Sequence, residues 1–502
     1  MEQTNNTSAK VWIVVTVMLA MMLAALDMTI VGTAMPSIIN DLHGMATYSW
    51  VFSAYLLAST VPVPIFSKLA DMYGRKRFFL IGAAIFTLGS LLCGLAVNMP
   101  QLIVFRAVQG LGAAGVLPIA LTIIGDVFTL EQRARIQGFF SAVWGISAVV
   151  GPLLGAVIVE YFNWRLVFYL NVPIGILVMT VLALSFREKL SAKKHRLDWL
   201  GTVLLSAGVT ALLLALVQDS NNLLSPMAIA LFILTLVCLF SFVWWERRAA
   251  EPVLPGVLFQ QRLLVASNGV NLFAGAVMFG LISYLPLFVQ GVEGGSPTVA
   301  GRAITPMLVG WPLAALIAGP ILLRTGFRLI SIVGGLLIAL GSMILPVAMN
   351  SGQITVDVAL FVIGVGLGLS LTSLLIAAQN VVPWNVRGAV TGASQFFRTI
   401  GGSIGVALMG AVLNHQLTVR ALTSHVTYKA SSITEALLSG NLRSALPAPE
   451  LRTYVTVLSG SLHDVFIAGF IFSVAVVVLV LIIPGDRRRE TEIDLPNASQ
   501  MS

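Results

Sequence analysis

The chain has 502 residues, of which 57% are hydrophobic and 10% are charged, and its mean hydropathy is +0.94. Soluble proteins carry roughly 25% charged residues, so this composition excludes an ordinary soluble domain and predicts a surface covered by lipid. The net charge of +8 could suggest a nucleic-acid partner. Its basic residues lie between apolar segments, however, which indicates membrane topology and excludes nucleic acid as a partner.

Fourteen apolar segments of about 20 residues follow one another along the chain, each long enough to cross a bilayer. Their approximate limits are 11–34, 47–66, 78–97, 102–125, 137–159, 166–186, 199–217, 227–245, 264–289, 299–323, 329–349, 354–380, 389–413 and 463–484. An open sheet edge in lipid would leave backbone groups without partners, so the predicted fold is all-helical. The first segment lacks a cleavage site and is expected to be retained rather than removed as a signal peptide.

Lys and Arg residues predict the orientation, because cytoplasmic loops are rich in them. Most of the 29 such residues lie in segments that are cytoplasmic if the N-terminus is inside. The short loops on the other side hold only Arg165 and Arg302. Both termini of this multi-pass protein are therefore predicted to be cytoplasmic.

Two groups of six segments are visible in the sequence. The predicted units are a tail 1–10, a six-helix bundle 11–186, a linker with two inserted helices 187–262, a second six-helix bundle 263–484 and a tail 485–502. The stretch Gly319–Arg328 resembles, more weakly, the basic loop that follows the second segment. Two six-helix halves are typical of secondary transporters, which bind substrate between the halves near the midplane.

The predicted extracellular loop 414–462 is the one sizeable element outside the bilayer. Apolar spacing predicts two short amphipathic helices in it, separated by Pro447 and Pro449. The first would bury Ile433, Leu437 and Leu438, and the second would bury Leu451, Tyr454, Val455 and Leu458. The pair is expected to form a helical hairpin that is either a passive connector or a lid.

Several motif matches carry no enzyme chemistry. Gly110–Gly115 fits a dinucleotide fingerprint and Gly401–Gly405 fits a nucleophile elbow, but both lie inside apolar segments. Close helix packing by small residues explains them better. The five histidines are scattered, and Cys93 and Cys238 lie inside apolar segments as packed thiols. No metal, no cofactor and no enzymatic activity is predicted.

Asp27 lies inside the first apolar segment, where an acid costs several kcal/mol unless it is protonated, paired or in a water-filled cavity. At 1.5 Å per residue it lies about 10 Å below the outer end of that segment, and Arg106 of the fourth segment lies about 6 Å below the same surface. These depths allow the side chains to pair or to share a cavity. They form either a structural ion pair or a site for a proton and a cation.

Arg398 is the other deep charge, well inside the thirteenth segment. Glu160, Asp357 and Asp464 lie near the outer boundary instead, so none of them matches its depth. Arg398 would contact either unwound backbone carbonyls or the substrate.

The short stretch Ser67–Arg77 between the second and third segments is sharply charged. Asp71 in it could contact a helix N-terminus or a neighbouring Arg in one conformation and release it in another. A difference of a few kcal/mol is enough to shift such an equilibrium.

These features resemble the major facilitator superfamily, and in particular its fourteen-span drug:proton antiporter family, over about 11–484. The matching motifs are Leu26–Val31 with Ala34-Met35-Pro36, Leu69-Ala70-Asp71, Gly74-Arg75-Lys76, Arg106–Gly110, Gly145 with Gly151–Ala156, Trp164-Arg165 and Asn171–Gly175. Two positions depart from the family pattern, since Ser67 and Ala156 stand where Gly is usual.

The resemblance implies a monomer in a bacterial cell membrane, made of two six-helix bundles with an inserted hairpin. It would export amphipathic or lipophilic, often monocationic, toxic compounds in exchange for protons by alternating access. Two alternatives remain from the residues alone. The protein could export an endogenous lipid, peptide or metabolite, or it could be a non-transporting scaffold or regulator on the same fold.

The resemblance also implies roles for individual residues. Asp27 and Arg106 would couple proton and substrate. The other assignments are a conformational latch of Asp71, Gly74, Arg75 and Lys76; an antiporter motif of Gly145, Gly151, Pro152 and Gly155; and substrate contacts by Gln109, Asn268, Asn271, Tyr284 and Arg398. Close packing at the glycines and a bend at Pro152 would discourage leakage.

Overall fold

The structure is a computed structural model that describes residues 7–42, 49–186, 188, 198–218, 225–249, 251–295, 297–349, 351–423, 430–438, 443–444 and 446–485. In these ranges the chain is helical apart from short connections, which confirms the predicted all-helical class. The first part of the predicted unit 187–262, at 187 and 189–197, and the tail beyond 485 lie outside the described residues.

The described α-helices are numbered in chain order. They are α1 (Thr7–Leu42), α2 (Ser49–Thr60), α3 (Val63–Tyr73), α4 (Arg75–Gly94), α5 (Met99–Val127), α6 (Leu130–Tyr161), α7 (Arg165–Tyr169), α8 (Asn171–Ser185), α9 (Trp199–Gln218), α10 (Pro226–Glu246), α11 (Val257–Gln260), α12 (Arg262–Gly291), α13 (Pro297–Ala303), α14 (Thr305–Thr325), α15 (Phe327–Ala348), α16 (Gln353–Val381), α17 (Arg387–Thr423), α18 (Ala430–Leu438) and α19 (Ala448–Ile482). A short 3₁₀ turn, Trp384–Val386, precedes α17.

Thirteen helical segments of the described chain are long and apolar enough to span a membrane. Each coincides with one of the fourteen predicted segments. The remaining one, 137–159, lies within α6, a helix of 32 residues. The structure is therefore consistent with fourteen spans, and the count itself stays a prediction.

The charged stretch after the second segment is mostly helix, whereas the sequence analysis described it as a loop. α3 continues to Tyr73, and the chain reverses at Gly74 alone, whose φ of 107° is unfavourable for any residue with a Cβ. Gly326, with φ 85°, makes the same break between α14 and α15. The weak sequence similarity between these two stretches thus reflects the same backbone geometry in the two halves.

The predicted loop 414–462 is shorter in the structure than in the sequence-based interpretation. α17 continues to Thr423 and α19 already begins at Ala448, so the predicted second amphipathic helix is the first part of the last span. In these extensions Leu417 and Ala421 of α17 and Tyr454 and Leu458 of α19 stay buried against neighbouring helices. The first predicted helix exists as α18, which buries Ile433 and Leu437 but exposes Leu438.

Small residues allow the helices to approach closely. A Cβ added at Gly112 would overlap the backbone of Phe86, which brings α5 against α4. A Cβ at Gly401 would overlap the backbone of Leu272, which brings α17 against α12. The glycine motifs in these two helices therefore serve helix packing, as the sequence predicted, and not phosphate binding or nucleophilic catalysis.

We expect Gly401→Ala to destabilise the protein by about 1–3 kcal/mol, because the added methyl meets backbone that cannot rotate away. Gly32→Ala is the matched control, since a Cβ at Gly32 meets nothing within 4 Å. This control should be neutral or more stable by up to about 1 kcal/mol, because Ala favours a helix more than Gly does. Thermal unfolding of the detergent-purified variants measures both. Equal melting temperatures would contradict the predicted overlap.

The two halves of the chain meet at the end of the molecule that holds Lys68, Arg75, Lys76, Arg77 and Arg387, called the basic end. One apolar cluster is built entirely from residues between Leu263 and Ile483, in the second half. Another joins first-half residues such as Ile119 and Ile123 to Ala378 and Phe396 of the second half. An apolar seam therefore closes the interface between the halves on this side.

Candidate functional site

Asp27 and Arg106 form a buried ion pair. Arg106 Nη1 lies 2.6 Å from Asp27 Oδ2, and each residue is 1% exposed. α1 and α5 pack side by side and bring the two side chains into contact, which is one of the two arrangements that the sequence allowed. Each charge compensates the burial of the other, because an isolated charge would be costly here.

Three uncharged polar side chains complete a network around Asp27. Gln109, one turn from Arg106 on α5, donates from Nε2 to Asp27 Oδ1 over 2.7 Å and to Ser90 Oγ over 2.6 Å. Asn171 at the start of α8 donates from Nδ2 to Asp27 Oδ1 over 3.0 Å and to Ser90 Oγ over 3.1 Å. Gln109 Oε1 accepts from Arg106 Nη1 over 2.6 Å. Four helices thus contribute to one hydrogen-bonded cluster.

The remaining surface of the Arg106 guanidinium faces aromatic rings and backbone. Its central carbon lies 4.2 Å from the centre of the Tyr55 ring and 5.9 Å from that of Phe168. Its Nε donates to the carbonyl oxygen of Val51 over 3.4 Å. Cation–π contacts are strong when the cation is desolvated, so these rings help to hold a charge that has little access to water.

The sequence analysis found Asp27, Arg106 and Gln109 but missed Ser90, Asn171 and Tyr55. It assigned Gln109 to substrate, whereas the structure places it against Asp27. Asn171 stands in a quoted family motif, which is a signal that could have found it. Ser90 and Tyr55 carry no such signal, because single hydroxyls are common in membrane helices and only the packing of α2 and α4 against α5 reveals them.

The other predicted substrate contacts lie in the second half. Asn271 donates to the carbonyl of Ser267 on its own helix over 2.9 Å, and Tyr284 Oη donates to the carbonyl of Val406 over 2.7 Å. Asn268 is 6% exposed, and its Nδ2 has no hydrogen-bond partner among the described residues. The Nδ2 group of Asn268 is therefore still able to donate a hydrogen bond to a substrate.

Arg398 is partly buried, and its Nη2 donates to Gln395 Oε1 on its own helix. Its guanidinium also lies 5.8 Å from the centre of the Trp311 ring on α14. Its described contacts are thus a neutral amide and an aromatic face, and not the unwound carbonyls considered from the sequence. An acidic partner is absent from the described contacts of Arg398.

Asp71 joins the two halves at the basic end. Its Oδ1 accepts from the backbone N–H of Gly388 over 3.0 Å and its Oδ2 from that of Ala389 over 2.7 Å. A carboxylate at a helix N-terminus is stabilised by the unpaired N–H groups and by the helix dipole. Asp71 of the first half thus caps α17 of the second half, one of the contacts that the sequence predicted.

Arg75 lies beside Asp71 and is fully buried. It contacts Asp71 Oδ1 over 2.9 Å and Asp126 Oδ2 over 2.6 Å, both in the first half. It also donates to the carbonyl of Trp384 over 2.7 Å and lies 4.0 Å from the centre of that ring. The Arg75 side chain therefore links its own half to the turn before α17.

Arg387 adds a second bridge, which the sequence analysis did not predict. Its Nη1 lies 2.8 Å from Asp126 Oδ1 and donates to the carbonyl of Gly125 over 2.9 Å. Farther along this interface, Arg133 Nη1 donates to Asn380 Oδ1 over 3.2 Å. Asp126 ends the fourth span, and its role became visible only when the fold placed it between Arg75 and Arg387.

Glu188 holds the start of α4, whereas Lys76 has a local role. The carboxylate of Glu188 accepts the backbone N–H groups of Arg75 and Lys76, each over 3.0 Å. Lys76 Nζ donates to the carbonyl of Ala183 over 2.6 Å. These contacts do not reach the second half, so of the four predicted latch residues Asp71 and Arg75 carry the described contacts across the interface.

The glycines of the antiporter motif face two different neighbours. Cβ atoms at Gly151 and Gly155 would overlap Thr29 and Thr33 of α1, so these two positions seat α6 against the helix of Asp27. A Cβ at Gly145 would lie 3.0 Å from the carbonyl oxygen of Leu308 on α14, in the other half. Pro152 lies within α6, and its side chain is outside the described part of the structure.

The long apolar helices of the described chain, with a buried ion pair among them, define a multi-pass membrane protein. The Major Facilitator Superfamily model matches residues 17–406, and the chain belongs to this superfamily. It is a family of transporters and not of enzymes.

Individual proteins agree with this assignment. Multidrug transporter protein MdtP of Bacillus subtilis (strain 168) is 35% identical over 500 residues, covering 94% of this chain and 92% of the relative. Multidrug resistance protein 3 of the same organism is 34% identical over 495 residues, covering 96% of each. The human organic anion transporter MFSD10 (TETRAN) is 12% identical, with a TM-score of 0.63 over 92% of this chain and 99% of that one, and shares the fold.

Proposed function

We propose that the protein is a proton-coupled antiporter that exports toxic amphipathic or lipophilic compounds, often monocations, across a bacterial cell membrane. It works as a monomer, and the basic end with both termini faces the cytoplasm. The names of its bacterial relatives support multidrug export. The observation that carries the proton coupling is the Asp27 carboxylate, the acid of the described first span, held 1% exposed by Arg106 and two amides.

Competition at Asp27 accounts for the exchange. A proton on Asp27 removes the charge that attracts a cation and weakens the pair with Arg106. Release of this proton restores the carboxylate, which favours a cationic or polarisable substrate nearby. One acid then serves both ligands in turn, so that outside protons expel substrate and inside substrate expels the proton.

The interface contacts at the basic end supply the alternating step. Asp71, Arg75 and Arg387 close this side in the state that the structure describes. With the basic end cytoplasmic, this state is closed to the inside. Opening requires these bonds to break together. A ligand can drive this step if its binding free energy differs by a few kcal/mol between the closed and the open state.

Transport by purified protein in liposomes tests the proposal. With an acidic lumen, antiport should accumulate tetraphenylphosphonium inside in exchange for lumenal protons. Accumulation should vanish when an ionophore collapses the proton gradient. Accumulation that persists without the proton gradient and follows a sodium gradient instead would exclude proton coupling.

We expect substrate charge to limit export. Asp27 is 1% exposed and is already paired with Arg106, while Arg398 is a further, partly buried cation in the described spans. A rigid dication would bring a second charge with no partner, and desolvating that charge costs several kcal/mol. Matched mono- and dicationic compounds in the liposome assay should therefore differ at least tenfold in rate.

Equal transport of both compounds would show that a second acid reaches the substrate. The candidates are Asp464, which pairs with Arg420 over 2.8 Å, and Asp357, which accepts from Gln353 over 2.9 Å. Asp357→Asn and Asp464→Asn would then identify it, since only the responsible variant loses dication transport.

A further inference from the structure

The neighbours of Asp27 are all hydrogen-bond donors. Oδ1 accepts from Gln109 Nε2 and Asn171 Nδ2, and Oδ2 accepts from Arg106 Nη1. This set suits a carboxylate, which only accepts. A protonated carboxyl group also carries an O–H donor, and a buried donor without an acceptor is costly. Protonation therefore requires one neighbour to change from donor to acceptor.

Of the three donors, Asn171 is the one free to make this change. Arg106 has no acceptor atom. Gln109 could turn its carboxamide, but its Oε1 accepts from Arg106 Nη1 over 2.6 Å. Turning would replace this oxygen by an NH₂ group, which would then face the donors of the guanidinium. Both described hydrogen bonds of Asn171 use Nδ2, and Oδ1 takes part in none of them.

We propose that Asn171 is the proton-responsive partner of Asp27: it donates to the carboxylate, and it turns its carboxamide to accept from the carboxylic acid. The inference rests on the proposed function and extends it to a positioning residue. The added proton bonds to Oδ1 of Asp27 and neutralises it, and Asn171 Oδ1 then accepts this O–H. On release the O–H bond breaks, the proton passes to water, and Asn171 turns back. Asn171 itself gains and loses no proton.

The local fold suits this role. Asn171 is the first residue of α8 and follows Leu170, which keeps helical backbone angles between α7 and α8. Asn171 is 4% exposed, so its bonds to Asp27 and Ser90 are largely shielded from solvent. Ser90 Oγ accepts from both amides and keeps its bond from Gln109 when Asn171 turns. Rotation of the Asn171 carboxamide thus changes the hydrogen bonds of this one amide, and the other bonds of the network stay in place.

The charged and titratable groups that face Asp27 come from three helices. α5 supplies Arg106, α2 supplies Tyr55, whose ring lies on that guanidinium, and α4 supplies Cys93, whose Sγ lies 3.8 Å from Gln109 Oε1. α8 contributes the neutral amide of Asn171 to the described hydrogen bonds of Asp27. α6 packs on α1 through glycines and the hydroxyl of Thr29.

The test is the pH dependence of tetraphenylphosphonium binding to the purified full-length protein. If substrate and proton compete, binding rises with pH and its midpoint reports proton release from Asp27. Asn171→Leu removes a bond that is stronger to the carboxylate than to the acid, so the midpoint should rise by about one pH unit. Affinity well above the midpoint should change less than threefold.

Two further variants distinguish a specific effect of Asn171 from a general folding defect. Asn171→Ser avoids a bulky apolar group but is too short to reach Asp27, and it should shift the midpoint in the same direction. Thr235→Val is the control: Thr235 is buried on α10 and donates to its own helix at Leu231, away from the network. This control should keep the midpoint of the parent protein.

Asp27→Asn separates this inference from the proposed function. If binding to Asp27→Asn keeps the pH dependence of the parent protein, Asp27 is not the proton carrier and the proposed function fails. If Asp27→Asn abolishes the pH dependence while both Asn171 variants keep or lower the parent midpoint, the inference about Asn171 alone is overturned. A rise of the midpoint in either Asn171 variant, with an unchanged control, supports it.

Discussion

Asp27→Asn should abolish proton-driven accumulation of substrate, at least a hundredfold below the parent protein, because an amide cannot carry the proton. The Asn oxygen can still accept from Arg106, so membrane insertion should persist. The buried guanidinium nevertheless loses its counter-charge, and breaking a buried pair costs about 3–5 kcal/mol. Liposome transport with an imposed proton gradient measures the first effect, and thermal unfolding measures the second.

A matched variant shows whether the loss is specific. Asp464→Asn makes the same change in an ion pair whose side chains are 40% and 24% exposed, where such pairs contribute about 0–1 kcal/mol. It should keep transport within twofold of the parent. Substrate–substrate exchange without a gradient should survive in Asp27→Asn. Gradient-driven accumulation with normal pH dependence in Asp27→Asn would remove Asp27 from the mechanism.

Much of the fold could be predicted because lipid imposes simple rules. The length of each apolar segment predicts a span, since it must cross the bilayer. In the structure thirteen of the fourteen predicted segments are candidate spans, and a helix covers the fourteenth. The ends of the helices were less predictable. Charged side chains such as Lys68 and Asp71 suggest a loop, yet the backbone stays helical to Tyr73, and Val63, Phe66 and Ala70 are buried on one face of this helix.

The candidate site was predictable where a residue is anomalous by itself. Asp27 and Arg106 stand out because charges are rare in apolar segments. Asp126 and Arg387 do not, because each stands at a segment end where charges are common. Their bond at 2.8 Å depends on α5 and α17 meeting across the interface, which is a contact between residues 261 positions apart. Ser90 was missed because a single hydroxyl in an apolar segment is not anomalous, and Asn171 was missed because its motif does not show that it contacts Asp27.

Asp71 at the basic end is the second residue whose substitution should have a large effect on transport. Its two oxygens accept the N–H groups of Gly388 and Ala389, and Arg75 shares Oδ1. An Asn at this position has one acceptor oxygen, and its NH₂ group would face an N–H donor of α17. The variant therefore loses a charge-assisted bond and leaves a buried donor without a partner, each worth about 1–3 kcal/mol.

Asp71→Asn should consequently lower the maximal rate of transport about tenfold or more, because the closed state at the basic end loses stability relative to the open one. The KM for substrate should stay within threefold, since Asp71 lies at the interface and not in the Asp27 network. Rates at varied substrate concentration in liposomes separate the two parameters. Labelling of single cysteines placed on either side of the interface should show the basic end more accessible than in the parent.

Asp357→Asn provides the comparison for this variant, since Asp357 accepts one hydrogen bond from Gln353 on its own helix. It should change neither the rate nor the accessibility of the basic end. A selective loss of substrate affinity in Asp71→Asn, at unchanged maximal rate and accessibility, would place Asp71 in substrate binding and contradict a latch. Because Arg75 touches both Asp71 and Trp384, Arg75→Lys should reproduce the Asp71 effect: Lys keeps the charge but lacks the planar fork that reaches both partners.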